Sequence, residues 1–203
     1  MLVKEYNNYI RIMSTYNGGV LFMINIFIGF IFVFFKTNLS FLDVGMTYYI
    51  TNLIGYVSIY VGVQELEKTN QRLLKLKPYV IVMMAHSIIF FLLNITGHSP
   101  LTMGMSTPLE TFIAWSGAIL IFAGMFMIFI IIFELMDGLT GKNKLSYNLV
   151  SIMMFLFILA CISAILNFSS MFSTTIMVAL LLVEVIFLIS YYYVFLARNE
   201  KQS

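Results

Sequence analysis

Six stretches of this chain are apolar over the length a helix needs to cross a bilayer, and no other feature restricts its folding as much. Crossing the hydrocarbon takes roughly 20 residues of helix. The runs 16–36, 41–64, 79–95, 111–135, 147–167 and 173–196 approach or exceed that length. In lipid every backbone N–H and C=O must find its partner within the protein, which leaves helices or closed barrels; uninterrupted runs of this length predict helices. The expected fold class is therefore all-α: one polytopic domain over 1–203, a six-transmembrane-helix bundle. Composition agrees, because 61% of the 203 residues are hydrophobic and 10% charged, against roughly a quarter charged in soluble domains. The first run is too long for a signal-peptide core and is followed by Lys36-Thr37-Asn38 rather than a small-residue cleavage site, so it is expected to stay in the mature chain.

Orientation follows from the cations. Lys4 and Arg11 precede the first run; Lys68, Arg72, Lys75 and Lys77 separate the second from the third. Lys142 and Lys144 separate the fourth from the fifth, and Arg198 and Lys201 follow the sixth, leaving only Lys36 of the 11 cations on the other side. The positive-inside rule then predicts a multi-pass protein of a cell membrane with both termini cytoplasmic. Val3, Tyr6, Ile10 and Met13 recur at helical spacing opposite Lys4, Asn8 and Arg11, as in a short helix lying in the interface. The 65–77 segment alternates leucines with charges and is expected to extend the second helix toward anionic headgroups.

Local chemistry marks two outer helix starts. Thr107-Pro108-Leu109-Glu110 combines an N-cap threonine, a proline at the first helical position and a reciprocal glutamate. Ser40-Phe41-Leu42-Asp43 is a weaker version, so Glu110 and Asp43 are expected to cap helices rather than to catalyse. Taken two runs at a time, the chain shows three similar blocks. Asn38-Leu-Ser40, Asn94-Ile-Thr96 and Asn167-Phe-Ser169 close the odd helices, and the same 24-residue interval separates Asn70 from Asn94 and Asn143 from Asn167. Three parallel two-helix hairpin repeats are one reading and coincidence within an apolar alphabet is the other.

An ionisable side chain inside hydrocarbon is costly enough to mark a candidate site. At ~1.5 Å per residue, His86 lies ~13 Å beyond Lys77 and Glu184 ~21 Å before Arg198, near the middle of the membrane. Asn25 and Asn52 fall near the centres of the first two runs, so His86, Glu184, Asn25 and Asn52 define an expected polar layer at the midplane. Such a layer would bind or relay a proton, an ion or a small polar solute; interhelical hydrogen bonding is the alternative use of the same groups. On the sixth helix Met177, Leu181, Glu184, Leu188 and Tyr191 are expected to share a face, with Tyr191 to Tyr193 as aromatic anchors at the interface. Glu134 and Asp137 close the fourth helix near the cytoplasmic surface. Gly55 with Gly62, Gly117 with Gly124, and Ala160 with Ala164 are expected to form close-packing seams.

Several function classes drop out. A net charge of +2 without a basic stripe excludes a nucleic-acid surface. The single cysteine, Cys161, cannot make an intrachain disulfide or a thiolate cage. His98, Met103 and Met105 are a donor set of the Cu(I) type, but methionine pairs recur inside helices, and packing explains them better. No nucleotide loop, zincin helix or nucleophile elbow occurs, so no catalytic residue, metal or cofactor is expected. Two functions fit: a small permeation or transport-type protein working through the midplane layer, or a sensory or partner-binding module acting through 65–77 and the C-terminal tail. Besides the lipid bilayer, the expected partners are a membrane or cytoplasmic protein and further copies in a homo-oligomer.

Overall fold

The computed structural model describes residues 22–35, 45–68, 70–139, 144–166 and 169–197. The described residues form six helices and no strands: α1 (Phe22–Phe34), α2 (Met46–Leu66), α3 (Leu76–Ile95), α4 (Pro108–Leu139), α5 (Lys144–Ile165) and α6 (Ser170–Tyr191). The interfacial N-terminal helix, the Ser40/Asp43 cap, Asn38, Asn143, Asn167 and the terminal cations fall outside the described residues. Four stretches are long and apolar enough to cross a membrane: Gln71–Ile95, Pro108–Gly138, Lys144–Ala164 and Ser170–Leu196. α2 has the length for it, but Tyr48, Tyr49, Asn52, Tyr56 and Tyr60 dilute its apolar character.

Helix ends are decided by capping chemistry that hydropathy does not register. α4 begins at Pro108, earlier than the expected 111, because the Thr107/Glu110 pair closes a capping box. Glu110 Oε2 accepts from the Ser106 and Thr107 amides at 2.9 Å, and Thr107 Oγ1 accepts from the Glu110 amide at 3.2 Å. α6 begins at Ser170 rather than 173, with the Ser169 hydroxyl accepting from the Phe172 amide. α3 starts before the expected 79 and tolerates Pro78 because a first-turn residue has no intrahelical acceptor for its N–H. A 3-10 turn, Gln71–Lys75, feeds into it. Gly97 stops the chain beyond α3 at φ 72, a left-handed conformation that glycine adopts without a Cβ clash. α6 runs on as a wider π-helical stretch, Tyr192–Ala197.

The helices pack in chain order and the last returns to the first. α1 and α2 cross antiparallel through glycine: Gly29 and Gly55 face one another's carbonyls, Gly62 lies against the Phe22 carbonyl, and Ser58 Oγ donates to the Asn25 carbonyl at 2.7 Å. From α2 onward, α2 packs most extensively with α3, and α5 with α6. α5 and α6 are also joined by the Ser163 and Ser173 hydroxyls, 2.6 Å apart. Phe157 of α5 packs edge-on against Phe126 and at a tilt against Phe129 of α4. Phe187 and Tyr191 of α6 pack edge-on against Phe30 of α1, closing the ring.

One apolar core draws residues from all six helices. The opposite faces are also apolar: Ile50, Ile54, Val57 and Val61 on α2, and Ile81, Ile88 and Leu92 on α3, are among the exposed residues. Water would not tolerate continuous exposed aliphatic faces of this extent. A membrane-embedded helical bundle accounts for them, since lipid solvates those faces as well as the core solvates the others.

Candidate functional site

The connection between α2 and α3 is fastened rather than loose. Asn70 Oδ1 accepts from the Arg72 amide at 3.1 Å, and Nδ2 donates to the Gly138 carbonyl at the end of α4 at 2.5 Å. Leu73 is fully buried beneath Gly138, where an added Cβ would collide with it. Of the four cations here, Lys68 pairs with Glu65, and Lys77 pairs with Glu67 at 2.5 Å. Arg72 and Lys75 remain exposed, so the basic character of 65–77 rests mainly on these two. Across the same end, the Tyr147 hydroxyl donates to Asp137 at 3.3 Å, which ties α5 to the solvated end of α4.

Within the bundle the expected polar layer divides in two. Glu184 is 4% exposed and Asn52 likewise 4%. Tyr48 lies near both, within electrostatic range of the Asn52 side chain and of the charge of Glu184. Counting ~1.5 Å per residue, Glu184 stands ~21 Å from Ser170 and ~20 Å from Ala197, the middle of the sixth helical stretch. Its face is the buried stripe Met177, Leu180, Glu184, Phe187 and Tyr191. Leu180 and Phe187 replace the expected Leu181 and Leu188, because α6 is turned toward the aromatic rings of α1.

His86 occupies the middle of α3 but looks the other way. Its Nε2 lies 3.1 Å from the Leu120 carbonyl of α4, its ring packs on Phe90 at 4.6 Å, and it fills the space left by Gly124. His86 and Glu184 are therefore not brought together as a pair. Asn25 is half-buried on α1, where its backbone carbonyl serves Ser58. The Gly117–Gly124 seam receives Pro100 at one end and His86 at the other, a loop residue and an imidazole rather than a flat helix face.

Tyr191 corrects a second expectation. It is fully buried, and its hydroxyl donates to Met23 Sδ at 3.6 Å, so it belongs to the core; Tyr192 and Tyr193 are the exposed pair. Three tyrosines of α2 that hydropathy passes over pack within the bundle. Tyr48 is within reach of Asn52, Tyr49 stacks on Phe90, and Tyr56 is buried one turn beyond Asn52. The i, i+4, i+8 spacing of Tyr48, Asn52 and Tyr56 was the available sign, since it puts all three on one helical face.

No group of three or more His, Cys, Asp or Glu side chains that could hold a metal ion occurs among the described residues. A surface groove of about 370 Å³ lies along the N-terminal half of α6, lined by Ser170, Met171, Thr174, Thr175 and Val178. Its lining is not the stripe that carries Glu184. No family model, curated protein or solved structure matches this chain.

Proposed function

We propose that this chain is a six-helix integral membrane protein with both termini cytoplasmic, and that it moves a proton, a small ion or a small polar solute through the polar centre formed by Tyr48, Asn52 and Glu184. One observation carries the reading: a carboxyl group buried at mid-length of α6, within electrostatic range of the Tyr48 phenol of α2, inside a bundle whose outside is apolar. Placing an acid at the membrane centre costs roughly 2.5–3.5 kcal/mol on insertion scales. Leucine at 184 would continue the buried apolar stripe of α6 without that cost, so the acid is best accounted for by use. His86, turned to α4, is assigned to holding α3 against α4.

The test is ion and proton flux in proteoliposomes across a range of pH. Glu184→Gln, which keeps the shape and removes the charge, is expected to abolish flux, and His86→Ala to reduce it far less. Equal flux in wild type and Glu184→Gln would refute the assignment. Topology is tested with the lone Cys161 replaced by serine. A cysteine at Gly104 should react with an impermeant thiol reagent from outside, and one at Gln71 only after permeabilisation.

The fastened α2–α3 turn supports a second reading, a partner-binding module, because Arg72 and Lys75 are presented on a firm surface. It predicts a co-purifying protein that is lost when both are neutralised.

A further inference from the structure

The turn that joins α2 to α3 carries more positive charge than its acids neutralise. Lys68 pairs with Glu65 and Lys77 with Glu67, so each acid of the 65–77 segment is taken by one cation. Arg72 and Lys75 are exposed and take part in no ion pair among the described residues. They belong to the 3-10 turn Gln71–Lys75, in which side chains three residues apart stand one above the other. Leu73 and Leu76 form its buried edge, and Arg72 and Lys75 its cationic one. The Asn70 tie to Gly138 and the Leu73 anchor hold that edge in place, so little ordering is left for a ligand to impose.

Depth and azimuth select the ligand. α3 is 20 residues long, or ~30 Å at ~1.5 Å per residue, which matches a hydrocarbon thickness of ~30 Å. Residues just before Leu76 therefore stand at headgroup level. The exposed face of α3 runs through Leu92, Ile88, Ile81 and Pro78 in helical steps of three, four or seven residues, and the same steps reach Leu74 and Lys75. Lipid covers this stripe, and at its head stands a cation pair with Leu74, 57% exposed, beside it. A guanidinium grips phosphate oxygens bidentately, an ammonium adds a point charge, and the leucine reaches the acyl boundary. Two unneutralised cations favour a headgroup of net negative charge over a zwitterion, whose own ammonium competes for the phosphate. We propose that Arg72, Leu74 and Lys75 bind the phosphate headgroup of an anionic phospholipid at the α2–α3 end of the bundle. The partner-binding reading uses the same two cations; their place at the head of a lipid-covered stripe favours lipid over protein.

The experiment follows thermal unfolding of the full-length protein in detergent micelles doped with phosphatidylglycerol, with phosphatidylcholine, or with inorganic phosphate alone, at constant ionic strength. Phosphatidylglycerol is expected to raise Tm saturably, and the other two additions to leave it unchanged. One cation at an anionic surface is worth about a fivefold change in binding. Arg72→Gln and Lys75→Gln should therefore each raise the half-saturating phosphatidylglycerol fraction about fivefold, and the double variant roughly 25-fold. Lys144→Gln, which removes an exposed cation outside the turn, should change it far less. Equal midpoints with phosphatidylglycerol and phosphatidylcholine would overturn the site, and that result needs no variant to fold. An undiminished phosphatidylglycerol effect in the double variant would overturn it as well. Stabilisation by inorganic phosphate equal to that by phosphatidylglycerol would assign the cations to a free anion instead of a lipid. A protein that co-purifies with wild type and is lost from the double variant, with no phosphatidylglycerol effect on the purified chain, would give the surface to a partner and remove the lipid. None of these outcomes depends on flux, so the permeation reading stands or falls separately.

Discussion

Replacing Gly55 with alanine should separate α1 from α2. A Cβ built on Gly55 lies 2.7 Å from the Gly29 carbonyl oxygen and 2.6 Å from Val33 Cγ2, whereas ordinary contact begins near 3.4 Å. The valine methyl can rotate away; the carbonyl is backbone and cannot, so the helices must part locally by about 0.7 Å. Overpacking of this kind costs roughly 1–3 kcal/mol. Alanine recovers about 1 kcal/mol of helix propensity, leaving a net loss of up to about 2 kcal/mol. For a chain of this size each kcal/mol moves Tm by roughly 2–4 °C, so a fall of up to about 8 °C is expected in detergent or nanodiscs. Gly104→Ala, whose Cβ would meet nothing nearer than 3.7 Å, is the control and should shift little. Gly29→Ala meets the Gly55 carbonyl at the same 2.7 Å, so one separation relieves both clashes and the double variant should lose less than the sum. Raised stability in Gly55→Ala, or strict additivity with Gly29→Ala, would refute a glycine-mediated crossing.

Three other outcomes follow from single contacts. Gly124→Ala places a Cβ 2.5 Å from His86 Nε2, so it should lower Tm alone and be rescued by His86→Ala; absence of rescue in thermal melts would refute the seam. Asn70→Ala removes a cap and the tie to Gly138, and a loss of about 1 kcal/mol is expected by analogy with caps. Faster proteolysis of the α2–α3 turn in this variant is the accompanying readout. Tyr191→Phe should lose under about 1 kcal/mol because the hydroxyl makes one weak bond to sulfur, whereas Tyr191→Ala should lose about 3–5 kcal/mol by opening a cavity in the core. Equal melting curves for the two variants would return Tyr191 to the surface.

Helicity, the apolar character of the segments, the α4 capping box and the small-residue positions along α2 and α4 were all legible in the sequence by itself, because each depends on residues close together in the chain. Thr107 and Glu110 meet within one helical turn, whatever surrounds them. Which way a given helix faces depended on tertiary structure. In a soluble helix the polar side marks solvent; here lipid and core are both apolar, so hydropathy does not distinguish Leu180 from Leu181 or a buried Tyr191 from an exposed Tyr193. Depth along a helix could be counted, and it put His86 and Glu184 at mid-length, but depth says nothing about azimuth. Only the assembled bundle turned His86 toward Leu120 and Gly124 of α4 while bringing Tyr48 within range of the charge of Glu184. The physical reason is that a helix in lipid gains little from hiding one apolar face over another, so close packing at glycines and aromatic rings chooses its rotation.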